Sequence, residues 1–107
     1  MTEMSDDTAT PSSTPVPGGA VVRELPITNK RGLHARASAK FVQTVERFEA
    51  SVKVSRNGET VGGTSIMGLM MLAAGPGTSI EVSATGRDAE AAVAAISELV
   101  ANKFGEE

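Results

Sequence analysis

Apolar and polar positions change their rhythm several times along the chain, and each change predicts an element. From Ala20 to Ile27 apolar residues alternate loosely with polar ones, which predicts a strand. Pro26 lacks an N–H for the ladder and so belongs at an end or edge of that strand. After the loop Thr28-Asn29-Lys30-Arg31-Gly32 the period lengthens. Ala37, Phe41, Val45 and Phe48 recur at helical spacing and predict a helix over 35–47. Short strands at 51–56 and 59–63 flank Asn57-Gly58, a two-residue hairpin turn in which both positions need positive φ. Ser65 to Ala73 reads as a short apolar helix ended by Gly75-Pro76-Gly77. Ser79 to Ala84 is a fourth strand with Ile80, Val82 and Ala84 on one face. Asp88 is placed to cap a last helix, in which Ala92, Ile96 and Leu99 form a stripe with Ala95 and Phe104 nearby and Gly105 as the stop.

The element order is therefore β-α-β-β-α-β-α. Four strands with three helices between and after them, within residues 20–107, imply one α+β domain with the helices packed on one face of a sheet. Short loops favour an antiparallel or mixed sheet, and the pattern does not choose among two-layer folds of this size. Ahead of the domain, residues 1–19 are mostly Thr, Ser, Pro, Asp and Gly. Such a segment buries too little to offset its ordering entropy, so a disordered tail is expected, with a boundary at the Pro-Val-Pro-Gly-Gly run.

Composition narrows the chemistry. The 107 residues include no cysteine, one histidine, and three phenylalanines as the only aromatics. Disulfides, thiolate zinc sites, cysteine nucleophiles and histidine-rich metal sites are excluded, and little is left for stacking on bases. No metal or cofactor is expected. No apolar run approaches the ~20 residues of a membrane span, and the acidic start lacks a secretory pattern, so a cytoplasmic location is expected. The net charge of −3 resides in Glu3, Asp6 and Asp7, and the remaining acids and bases balance. Within 30–47, however, Lys30, Arg31, Arg36, Lys40 and Arg47 face Glu46 alone, a local excess of +4 around the single histidine. A patch that small suits an acidic protein partner or a phosphate, not nucleic acid.

That histidine, His34, stands at the start of the predicted first helix. A helix N-terminus presents unpaired N–H groups and about half a positive charge. The positive end disfavours imidazolium and keeps a ring nitrogen nucleophilic, while the N–H groups can hold an anion arriving on the ring. Arg36, two residues on, adds a guanidinium able to grip phosphate oxygens, and Gly32 frees the backbone before the ring. The constellation suits a phosphohistidine. Ser65 begins the second helix and can cap it. The helix after it holds Ile66, Met67, Leu69, Met70, Met71 and Leu72, more than so short an element can bury. Leu69 and Leu72 should face the sheet. Ile66 and Met67, Met70 and Met71 should remain as an adaptable docking patch, with Gly68 allowing close approach and with Arg36, Ala39 and Lys40 from the first helix beside it.

Residues 32–42, Gly-Leu-His-Ala-Arg-Ala-Ser-Ala-Lys-Phe-Val, closely resemble the active-site segment of the HPr family, the histidine phosphocarriers of the bacterial phosphotransferase system. Ser65-Ile66-Met67-Gly68-Leu69-Met70 is similar to that family's regulatory serine motif, at the right separation, and Asn57-Gly58 and Phe104-Gly105-Glu106 agree. The resemblance covers about 20–107. It implies an open-faced sandwich, four antiparallel strands with three helices on one face. It further implies that His34 takes a phosphoryl group on Nδ1 from enzyme I, charged by phosphoenolpyruvate, and passes it to an enzyme IIA-type acceptor. Arg36 would contact the phosphate, and an HPr kinase/phosphorylase would phosphorylate Ser65. The protein would be a monomeric carrier and not an enzyme. Ala37 departs from the proline common at that position, which leaves the first helical turn less stiff. The Ala-Arg-Ala-Ser-Ala-Lys version looks most like alphaproteobacterial members of the nitrogen-related, regulatory branch. Two other readings compete. A ligand-sensing domain gives His34 and Arg36 no reason to share a helix start, and a histidine phosphatase would need a second histidine.

Overall fold

Alternation decides which face of each strand is dry. The computed structural model describes residues 20–106, and the tail expected at 1–19 lies outside the described residues. Its elements are β1 (Val21–Pro26), α1 (Ala35–Val45), β2 (Ser51–Arg56), β3 (Glu59–Gly62), α2 (Ile66–Met71), β4 (Ser79–Thr85), α3 (Ala89–Ala101) and a short turn at Lys103–Gly105. The strands pair in the order β1-β4-β2-β3, every pair antiparallel. Leu25 lies opposite Ile80, Val54 opposite Val82 and Val52 opposite Ala84, and all six are buried. Their neighbours Glu24, Lys53 and Glu81 point to the other face and are exposed. The helices cover the dry face with Phe41 and Val45 of α1, Leu69 of α2, and Val93, Ile96 and Val100 of α3. This is the expected open-faced sandwich of four antiparallel strands and three helices.

Local turn chemistry behaves as the sequence predicts. Asn57 and Gly58 take φ of 54° and 83°, and the hairpin closes with Arg56 opposite Glu59. Pro26 ends an edge strand.

Four details differ. Helix α1 stops at Val45, and half-buried Phe48 packs from the turn that follows. On α3 the fully buried stripe is Ala89, Ala92, Val93, Ile96 and Val100, with Ala95 and Leu99 at its margin. Asp88 makes no side-chain cap for α3, because its Oδ2 accepts from the Glu49 N–H at 2.9 Å. Gly105 likewise does not stop α3, which ends at Ala101. Gly105 instead closes a turn in which Lys103, Phe104 and Gly105 all have positive φ.

The loop before α1 is fixed by the exit of α2. Leu33 N–H donates to the Ala74 carbonyl at 3.0 Å, and Ile27 exchanges backbone bonds with Thr78 and Gly77. Gly32 sits at φ +64°, where a Cβ would press on the Ala74 carbonyl oxygen and lie 2.8 Å from Gly75 Cα. Only glycine meets both the handedness and the clearance.

Candidate functional site

His34 is the N-cap of α1. Its backbone is extended, its carbonyl accepts from the Ser38 N–H at 2.8 Å, and its Nδ1 accepts from the Arg36 N–H at 3.2 Å. The first turn of α1 holds no acidic residue, so no side chain of the helix itself neutralises its positive end. On the far side of the ring, Nε2 meets Oε2 of Glu106. Since Nδ1 accepts from a backbone donor, the ring proton belongs on Nε2, which donates to the carboxylate; this assigns the tautomer from the network.

Glu106 itself is gripped twice. Its Oε1 accepts from Nδ2 of buried Asn29 at 3.1 Å, and the same Nδ2 donates to the Gly32 carbonyl at 2.9 Å. The hydrogen bond from His34 is the main reason the Glu106 carboxyl is held below the usual carboxylate range; the Asn29 bond and the charge of Arg31 push the same way, against partial desolvation.

The ring side chain retains 18% of its exposure, and the Arg36 side chain projects into solvent on the same turn. The site is therefore a surface point and not a cleft. A shallow depression on the open face of the sheet, lined by Glu24, Ser55, Thr60 and Glu81, includes none of these groups. Among the described residues no three His, Cys, Asp or Glu side chains cluster as metal ligands, and no helix is long and apolar enough to cross a membrane.

Ser65 caps α2, its Oγ accepting from the Gly68 N–H at 2.9 Å. The end of α2 bonded to the His34 loop is its C-terminal end, through Ala74, and Ser65 stands at the other end of the helix, roughly 10 Å from Ala74's end along the axis.

The apolar surface forms as expected. Met67 and Met71 are 68% and 72% exposed, Ile66 and Met70 are also exposed, and Leu69 and Leu72 are buried. Two members of the anticipated patch play other roles. Lys40 Nζ donates to the Phe104 carbonyl at 2.8 Å, which ties it to the C-terminal turn. The bareness of Gly68 serves an internal contact, since a Cβ there would lie 2.9 Å from both Val61 Cβ and Ser65 Oγ. Ala39, on α1, is half-buried.

Residues 21–102 match the family model described as the PTS HPr component phosphorylation site. The chain belongs to the HPr family. Phosphocarrier protein HPr of Cupriavidus necator is 51% identical over 84 residues, 78% of this chain and 94% of that protein. The crystal structure of HPr-C-His from Thermoanaerobacter tengcongensis matches with a TM-score of 0.77 at 42% identity, over 80% of this chain and 97% of the other. An HPr dimer from the same organism matches with a TM-score of 0.65 at 43% identity, over 77% and 94%. As an HPr-family member the chain is a phosphocarrier and not an enzyme with turnover of its own. Glu106 and Asn29 escaped the sequence reading as site residues. Glu106 lies 72 positions from His34 and Asn29 lies 77 from Glu106, so no local spacing signals either contact.

Proposed function

We propose that this chain accepts a phosphoryl group on Nδ1 of His34 from phosphorylated enzyme I and passes it to an enzyme IIA-type acceptor. The observation that carries the reading is the division of the imidazole between two partners. Nε2 is occupied by Glu106, while the Nδ1 lone pair faces the start of α1 and is held there by one weak backbone bond. An incoming phosphoryl group need displace only that bond. The first-turn N–H groups, which have no intrahelical partner, then face its oxygens, and the Arg36 guanidinium can close on them. Exposure of the ring lets one partner after another reach it, as a carrier requires.

Ile66, Met67, Met70 and Met71 form the apolar centre against which enzyme I and the acceptor dock, with Arg36 and Ala39 at the edge beside α1. Ser65 is a second phosphorylation site, used by an HPr kinase/phosphorylase. A dianion at the start of α2 is electrostatically welcome to the helix and unwelcome to a phosphorylated partner. Location in the cytoplasm, a monomeric working state and a regulatory role of the nitrogen-related, alphaproteobacterial kind belong to the same reading. The Ala-Arg-Ala-Ser-Ala-Lys version of the segment is what supports the last of these. Residues 1–19 form a tail outside the phosphocarrier domain at 20–107.

The test uses purified chain, enzyme I and labelled phosphoenolpyruvate. Wild type should take up an acid-labile label, and His34→Ala should take up none while unfolding at nearly the same temperature. Full labelling of His34→Ala would end the reading.

A further inference from the structure

We propose that Asn29 and Glu106 form a positioning pair for His34, in which buried Asn29 aims the Glu106 carboxylate at Nε2 so that the proton stays there and Nδ1 stays open. The inference rests on the phosphocarrier reading and adds to it the residues that set up the nucleophile.

Four observations converge. Asn29 belongs to the loop that carries His34, and its side chain is buried. Both groups its Nδ2 touches, the Gly32 carbonyl and Glu106 Oε1, are acceptors only, so the amide orientation is fixed by its partners and the donor must point at the carboxylate. The Glu106 oxygens are then divided, Oε1 to Asn29 and Oε2 to His34. Finally, the backbone that delivers Glu106 is a left-handed turn of three residues, two of them not glycine, with φ of 57°, 57° and 78° at Lys103, Phe104 and Gly105. Such conformations persist only where the surroundings over-determine them. Here buried Phe104 is anchored in the core and Lys40 Nζ grips the Phe104 carbonyl at 2.8 Å. The turn reverses the chain after α3 and sets Glu106 against the imidazole.

The chemistry follows from that geometry. In transfer to the carrier, the Nδ1 electron pair forms the N–P bond while the donor's bond to phosphorus breaks and its electron pair leaves with the donor. Nε2 keeps its proton throughout, so the ring gains positive charge as the bond forms. Glu106 stands beside that developing charge and offsets it. In the onward step the N–P electron pair returns to Nδ1, and the ring reverts to the neutral Nε2–H form without moving a proton. A carboxylate in this place favours both directions by holding one tautomer, the role an acidic side chain plays for a catalytic histidine.

The experiment pairs two readouts on the full-length chain and on Glu106→Ala, Glu106→Gln, Asn29→Ala and the Asn29→Ala/Glu106→Ala double variant. Imidazole 15N NMR of the unphosphorylated chain reports the tautomer without any partner protein. Labelling by enzyme I reports kcat and KM. Wild type should be mainly Nε2–H, and Glu106→Ala should show a mixture. Glu106→Gln should keep the tautomer yet lose charge compensation. The kcat of each single variant should fall, by roughly fivefold for loss of the partly exposed carboxylate, with KM little changed. The double variant should be no worse than Glu106→Ala alone, because Asn29 acts through Glu106. An unchanged tautomer and kcat in Glu106→Ala, or fully additive losses in the double variant, would overturn the pair. A wild-type chain that takes no label would instead sink the phosphocarrier reading, and the NMR arm would still decide the tautomer.

Discussion

At the scale of single residues, the site depends on two kinds of constraint that a substitution series can separate. Arg36 projects into solvent, and its guanidinium touches none of the described residues through a hydrogen bond or ion pair. Removing it should cost the fold little and the phosphoryl step much. Gly32 is the reverse case, since its φ of +64° and the closeness of Ala74 and Gly75 make any Cβ strained. Arg36→Ala should slow phosphorylation at least tenfold while shifting stability by no more than about 0.5 kcal/mol. Gly32→Ala should lose about 2–3 kcal/mol of unfolding free energy. Denaturant titration and labelling rates on both variants check this, and matching stability losses would contradict it. His34, Arg36 and Ser65 are legible in the sequence because helix starts are encoded within a few neighbouring residues. The Asp88–Glu49 and Glu106–His34 contacts are not, because their partners are brought together only by the finished fold.

At the scale of elements, α2 carries two demands on six residues. Leu69 anchors it to the core while four large apolar side chains stay exposed, and Ser65 holds its start. The amphipathic split between leucines and methionines was visible in the sequence. The direction of α2 relative to the His34 loop was not, because it depends on the Leu33 N–H bond to the Ala74 carbonyl. A charge on Ser65 would act on a docked partner's phosphate through space; a separation of about 10 Å sets the scale. At an effective dielectric near 20, two unit charges at that distance repel by about 1.7 kcal/mol, close to a twentyfold change in affinity. Ser65→Asp should thus keep its fold and show a raised KM for phosphorylation by enzyme I, with the difference shrinking as salt approaches 1 M. Equal KM values at low salt would reduce Ser65 to a helix cap.

At the scale of the whole molecule, a dry sheet face, three helices and one surface histidine make a rigid scaffold for a small exposed site. Binary patterning predicted the element order, and the Asn57-Gly58 turn predicted the pairing of β2 with β3, while β4 pairs with β1 and β2 across long stretches of chain. The choice of this topology among two-layer folds came from the resemblance and not from periodicity. Because residues 1–18 hold few apolar side chains, deleting them should leave the unfolding temperature and the labelling rate unchanged, and a marked loss of either would show that the segment docks on the domain. The central claim, that Glu106 reserves Nε2 and leaves Nδ1 of His34 as the phosphoryl acceptor, has a direct test. After phosphorylation by enzyme I, 31P–15N correlation NMR should show one phosphorus bonded to Nδ1 of His34, with a proton on Nε2. A phosphoryl group on Nε2, or on any other residue, would contradict it.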